Sequence, residues 1–222
     1  INTLSPAPWP EQDGTSLKII QTAPADHPTL RIHRTNIGLY RKTIHGEIEL
    51  MRTIKAEIKP QSETVIPGVF VAGEPLPDFL FVNDGDYAYC KARLDQKSLA
   101  FALENISCFP ETLMRQLLWL ELYDLLRDGM MSATQFIAAA VNNISKEPFP
   151  RIVSSVLLNL NATARSFITE DQIPAQSKQL FKIAEKVLSP FNNTKAAAEL
   201  SVSDIHLNWA RNINEWAHIN KE

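Results

Sequence analysis

The chain has 222 residues and a mass of 25.0 kDa, and 22 basic side chains against 25 acidic ones leave a formal net charge of −3. A hydrophobic share of 45% is too high for a disordered chain, and no apolar run reaches membrane-helix length. A pI near 6.0 gives no general positive charge to attract nucleic acid, and two cysteines, Cys90 and Cys108, exclude a disulfide-dense secreted scaffold. The first residues, Ile1-Asn2-Thr3-Leu4, carry neither a Met start nor a signal sequence, so a piece cut from something longer is expected.

Glycine and proline divide the chain. Six of the seven glycines lie at or before Gly85, and nine of the fourteen prolines precede residue 95. The front therefore reads as short strands joined by turns. Strands are predicted at Leu17–Thr22, within Thr29–Thr43, at Glu47–Lys59, at Val69–Ala72 and at Phe79–Val82. In Glu47–Lys59 the apolar side chains Ile48, Leu50, Ile54, Ala56 and Ile58 share one parity with Arg52, which predicts one buried and one wet face. In the preceding run the parity of Leu30 and Ile32 differs from that of Ile37 and Leu39, which predicts a bulge near Arg34–Asn36. His45-Gly46 is the expected hairpin turn. These strands sum to a small antiparallel β-sandwich over residues 1–95.

Residues 96–222 read as an α-helical stack, an incomplete solenoid-like superhelix, so the fold class is multidomain, β then α. Pro110 opens a predicted helix that runs to about Asp128 and stops at Gly129. Ser132 to Gln135 form a capping box for the next, through about Ile144. Pro150 starts a third, with Val153, Val156, Leu157, Leu160, Ala164 and Phe167 on one stripe. Pro174 starts a fourth, striped by Leu180, Phe181, Ala184, Val187 and Leu188. Ser201 or Ser203 caps a last helix bearing Ile205, Trp209, Ile213 and Trp216.

The chemistry is sparse. No two of His27, His33, His45, His206 and His218 have the spacing of a helical zinc motif, and there is no H-E-x-x-H or C-x-x-C. His33 and His45 could face each other across a hairpin, but exposed sheet histidines are the plainer expectation. Neither cysteine has a His/Asp context to activate it. Glu121, Asp124 and Asp128 form an acidic stripe, read as a solvated or Arg-paired face with Arg127 beside it. Arg31, His33, Arg34, Arg41 and Lys42 form a basic cluster that the wet face of a sheet explains. Sequons at Asn105, Asn143, Asn161 and Asn192 have no secretory signal beside them. No catalytic, cofactor-binding or metal residue is therefore assigned.

One stretch says more. Asn83-Asp84-Gly85-Asp86-Tyr87-Ala88-Tyr89-Cys90-Lys91-Ala92-Arg93-Leu94-Asp95 resembles a signature of zinc aminopeptidases of the aminopeptidase N type, in their bacterial, actinobacterial-like branch. Leu117-Leu118-Trp119 and the run Tyr123 to Gly129 are similar to that branch's next helix. Leu207-Asn208-Trp209-Ala210-Arg211 is similar to a later segment, and Ile1 to Leu4 to the end of the family's catalytic domain. Gly85, Tyr87-Ala88 and Cys90 depart from the branch's pattern at positions that are not catalytic in it.

The resemblance implies the non-catalytic C-terminal portion of a cytoplasmic metallopeptidase that removes N-terminal amino acids from peptides. This portion would support the catalytic domain and help cover the active site. Zinc and its ligands would lie in a catalytic domain ahead of residue 1, and the chain alone would hold no metal and hydrolyse nothing. The expected partners are that catalytic domain and, in the parent, peptide substrates, with no nucleic acid and no membrane. A free-standing helical-repeat module that binds a peptide or protein is the alternative, and a ligand-binding sandwich ranks below it. Self-association of the fragment through this last helix is expected, from the stripe of Ile205, Trp209, Ile213 and Trp216 with Val202, Leu207, Ala210 and Ala217 around its sides.

Overall fold

The computed structural model describes residues 1–9, 14–189 and 203–220. Seven strands precede six α-helices among the described residues, so the β-then-α order holds. The strands are β1 (Thr3–Pro6), β2 (Leu17–Thr22), β3 (His33–Lys42), β4 (Ile48–Ile58), β5 (Glu63–Ile66), β6 (Phe79–Val82) and β7 (Lys91–Ala92). The helices are α1 (Gln96–Asn105), α2 (Thr112–Arg127), α3 (Ala133–Asn143), α4 (Pro150–Ser166), α5 (Ile173–Leu188) and α6 (Asp204–Asn220). The change from strand to helix falls at Asp95, whereas compactness divides the chain into Ile1–Glu121 and Leu122–Glu222.

In the first unit the strands form two sheets, ordered β5-β2-β1-β7 and β4-β3-β6. All pairings are antiparallel except β1 with β7, which run parallel, Thr3 opposite Lys91 and Leu4 opposite Ala92. Between the sheets lie Leu4, Leu17 and Ile19 from one and Ile37, Leu39, Ile58, Leu80 and Val82 from the other. Val69 and Phe70 join this core from a turn rather than from the strand predicted there. β6 is buried on both faces, because Phe79 also meets Tyr40, Phe101 and Phe109 with ring centroids 5.0–5.9 Å apart. α1 packs on β6 through this aromatic cluster.

Two parity expectations are corrected. β3 starts at His33 and keeps one parity throughout, and Ile32 ahead of it is exposed. The irregularity is on β4: Leu39 pairs with Arg52 but Tyr40 with Leu50, leaving Met51 as the extra residue. This bulge turns Ile48 and Leu50 to the Tyr40 face, away from Ile54, Ala56 and Ile58. The hairpin turn is as expected, with Gly46 at φ +84 between Thr43 and Glu47.

Each predicted helix is present. Pro110 lies two residues ahead of α2, which ends in a Schellman motif: Met130 N–H donates to the Leu125 carbonyl and Gly129, at φ +70, to Leu126. The Ser132/Gln135 capping box opens α3, and Pro150 is the first residue of α4. Ile152, Val153, Val156, Leu157, Leu160 and Ala164 are buried, while Phe167 is exposed. α6 packs on α4 and α5, with Trp209 and Trp216 buried. It runs in the direction of α4: Asn208 Nδ2 donates to the Pro150 carbonyl, Asn212 Nδ2 to the Leu157 carbonyl and Asn161 Oδ1, and Arg165 pairs with Glu215 at 2.6 Å. Trp209 and Trp216 are therefore core, while Leu207 and Ala210 on the flank of the same helix stay exposed. Ser203 stands at the head of α6, its hydroxyl 2.7 Å from His206 Nδ1. Ser201, Val202 and the Asn192 sequon lie outside the described residues.

Candidate functional site

The signature stretch forms a polar clasp within the first unit. Asn83, buried and at φ +82, closes the loop with its amide: Oδ1 accepts from Ala88 N–H and from Thr35 Oγ1, both at 2.8 Å, and Nδ2 donates to the Ala88 carbonyl at 2.9 Å. Few side chains could supply both a donor and an acceptor there. Asp84 Oδ1 accepts from the Tyr40 hydroxyl at 2.7 Å. Burial, and then Glu111, raise the Asp84 carboxyl, although the Tyr40 bond opposes the shift. Burial and Asp84 together push the Tyr40 phenol above its usual range. Gly38 is needed beneath this pair, since a Cβ there would lie 2.7 Å from Tyr40 and 2.8 Å from Asp84.

Further along, Arg93 and Glu121 form a buried ion pair at 3.1 Å. Asp95 then caps α1. Its Oδ1 accepts from the N–H groups of Lys97 and Ser98 at 2.9 and 3.0 Å. Its Oδ2 accepts from Ser98 Oγ at 2.7 Å and from Trp9 Nε1 at 3.1 Å. Ser98 Oγ accepts in turn from Leu80 N–H, tying the helix to β6. Lys97 donates to the Pro77 carbonyl and sits 4.3 Å above the Trp9 ring. The clasp is a set of paired donors and acceptors, and a satisfied network of this kind makes the loop and the start of α1 rigid.

The residues flagged in the sequence fall apart as candidate sites. His33 and His45 lie at opposite ends of β3, and His33 is buried rather than exposed, 3.1 Å from Asn2 Oδ1. Burial, and then Arg31, hold its imidazole below the ordinary range. Arg34 pairs with Glu57 and Arg41 with Glu49 across the hairpin, while Lys42 donates to Asn105 Oδ1. Glu121 faces Arg93, and Asp124 pairs with Arg127 at 3.8 Å. Cys90 sits in a bend ahead of β7, and burial, with Asp86 and Glu121, pushes its thiol up to about 12. Asn105 and Asn143 are buried and donate to the carbonyls of Phe101 and Ala139, so these two sequons are closed in the folded chain. Among the described residues no three His, Cys, Asp or Glu side chains gather as a metal would require. No described helix is long and apolar enough to cross a membrane.

The sequence reading places the domain junction near Asp95 to Ser98 but assigns neither residue a cap, and it gives Asn83 and Arg93 no structural role. Asp-x-x-Ser ahead of a helical run is a legible cap signal for the last two. The Arg93 partner lies 28 residues on, beyond any local pattern.

Two comparisons with known proteins meet on this region. Residues 79–218 match the family model of the ERAP1-like C-terminal domain. Over 221 residues the chain is 33% identical to Aminopeptidase N of Streptomyces lividans, covering 95% of this chain and 24% of that protein. The chain thus spans about a quarter of the length of that relative. The matched region begins at β6, takes in the signature stretch Asn83 to Asp95 and reaches His218 in the last turn of α6, and the chain belongs to the family of ERAP1-like C-terminal domains.

Proposed function

We propose that this chain is the non-catalytic C-terminal portion of a zinc aminopeptidase that removes N-terminal amino acids from peptides in the cytoplasm. In this reading it supports the catalytic domain and helps cover the active site. The observation that carries it is the match along nearly the whole chain to one quarter of an Aminopeptidase N. The described residues offer no donor set that fits zinc, so no step through a metal is assigned to them. Their part is mechanical: the clasp fixes α1 on the sandwich and gives the rest of the polypeptide a rigid support.

The test is the reading frame that encodes the chain, expressed in full. It is expected to contain H-E-x-x-H with a further Glu ahead of Ile1, to bind one zinc and to release the amino-terminal residue of aminoacyl anilides. The 222-residue chain alone is expected to do neither. A frame that starts near Ile1, or turnover by the 222-residue chain that is lost on mutating it, overturns the reading.

A further inference from the structure

Among the described residues β4 is an edge strand, paired with β3 on one side and with no strand on the other. Hydrogen bonds on β3 show which of its backbone groups are left over. The carbonyls of Asn36 and Tyr40 accept from Asn83 and Asp78 N–H. The even residues of β3 thus turn their backbone groups to the β6 side and the odd ones to β4. Thr35 stands opposite Ala56 and Ile37 opposite Ile54, so Ile54 and Ala56 are bonded to β3. Thr53, Lys55 and Glu57 therefore point their N–H and carbonyl groups away from the sheet, and among the described residues none takes them up. Their side chains are exposed as well. This open stretch has fixed ends. At one, Lys59 N–H donates to Thr64 Oγ1 at 3.1 Å; at the other stand the Met51 bulge and the Arg52–Glu74 pair at 3.0 Å.

An open edge is a template for another strand, and proteins commonly blunt it with charge. Here the two charges are opposite in sign and two residues apart, so they select a register instead. Two copies meeting edge to edge, antiparallel about a two-fold axis at Lys55, would set lysine against lysine, which is repulsive. An axis at Ile54 would set Glu57 against the irregular Met51. An axis at Ala56 sets Lys55 opposite Glu57 of the second copy, and Glu57 opposite its Lys55. Each of those two pairs can exchange both backbone hydrogen bonds, and each joins opposite charges. The Arg34 pair uses Oε2 of Glu57, which leaves Oε1 for the lysine. Such a contact is self-complementary, as a two-fold interface must be. We propose that residues 53–57 are a docking edge for a second copy of this chain, paired antiparallel about Ala56 so that two sandwiches share one continuous sheet. The stretch is short, which places the dimer among weak, transient contacts.

Sedimentation at rising concentration tests this on the polypeptide expressed in full from its reading frame, together with hydrogen exchange read at single residues by mass spectrometry. A dimer favoured by concentration is expected. In it the Lys55 and Glu57 amides should exchange at least about tenfold more slowly than in the monomer, while those of Ile54 and Ala56 are slow in both. Lys55→Glu and Glu57→Lys should each weaken the dimer about tenfold. An equal mixture of the two variants should regain it, because each then meets the opposite sign. A monomer at every concentration overturns the proposal. So does a dimer that leaves the Lys55 and Glu57 amides unprotected, which would use another surface. Protection that does not change with concentration also overturns it, since the edge would then be covered within one polypeptide. Weakened single variants with no recovery in the mixture overturn the Ala56 register, and the proposal with it.

Discussion

The joint between the sandwich and α1 and the joint between α4 and α6 solve the same problem with different chemistry. At the first, Asp95 uses both oxygens to hold the start of α1, a serine and an indole, and two residues earlier the buried guanidinium of Arg93 meets the buried carboxylate of Glu121 on α2. At the second, two tryptophans fill the interior and neutral amides of Asn208 and Asn212 reach helix carbonyls. Buried charge is costly to bring out of water and costlier to leave without its counter-ion, whereas apolar burial loses only what is removed. The first joint should therefore be sensitive to single polar changes and to pH, and the second to lost volume.

Breaking the buried ion pair is one of the two largest effects expected. Arg93→Met takes away the cation facing Glu121, and removing one member of such a pair costs about 3–5 kcal/mol. Replacing both, Arg93→Met with Glu121→Leu, should restore much of that loss in urea titrations of the 222-residue chain. A double variant no more stable than the single one would mean that Glu121 is held by its other neighbours.

At the α4–α6 joint the matching test is Trp216→Ala, expected to cost about 3–5 kcal/mol through the volume lost. Among the described residues the Trp216 indole N–H has no hydrogen-bond partner, so Trp216→Phe forfeits packing only and should cost clearly less. Equal losses for the two variants would show that the N–H matters after all. Asp95→Ala comes next: losing a cap costs about 0.5–2 kcal/mol, and Asp95→Asn, which keeps one acceptor, should retain part of it.

These contrasts also mark what the sequence could say. Helix starts were legible because Pro150 and the Ser132/Gln135 pair act on their own turn. The strand at Phe79–Val82 was legible because four apolar residues between turn signals have few alternatives. The β4 bulge left only a local trace, because Met51 and Arg52 interrupt the alternation of Ile48 through Ile58 without saying which residue is extra. Only pairing with β3 places the extra residue at Met51. The clasp was legible as a family resemblance but not as a mechanism, since Arg93, Thr35 and Trp9 meet partners far along the chain. Trp209 and Trp216 were read as one stripe, correctly, yet a stripe does not say whether it faces a core or a solvent.

The smallest effect concerns pH and comes from His33. Its ring is buried beside Asn2, whose Nδ2 donates to the Thr29 carbonyl, so Asn2 Oδ1 accepts a hydrogen bond from His33 Nε2–H. Burial, and then Arg31, lower the pKa of the folded state below the value of about 6.5 expected of the unfolded chain. Between those two values the unfolded chain binds more protons than the folded one, so stability falls as pH falls. The contribution is complete above about pH 6.5 and is lost progressively below it. His33→Gln can keep a donor towards Asn2 without taking up a proton, so it should flatten the acid side of the stability profile. Asp84 acts in the opposite direction, because its raised pKa favours the folded state at low pH and loses that advantage as the carboxyl ionises. Urea midpoints at pH 7.5 and 5.5 for the parent chain and His33→Gln separate the two, since Asp84 and its neighbours are common to both. Identical shifts in the two proteins would mean that the imidazole is not the group taking up the proton.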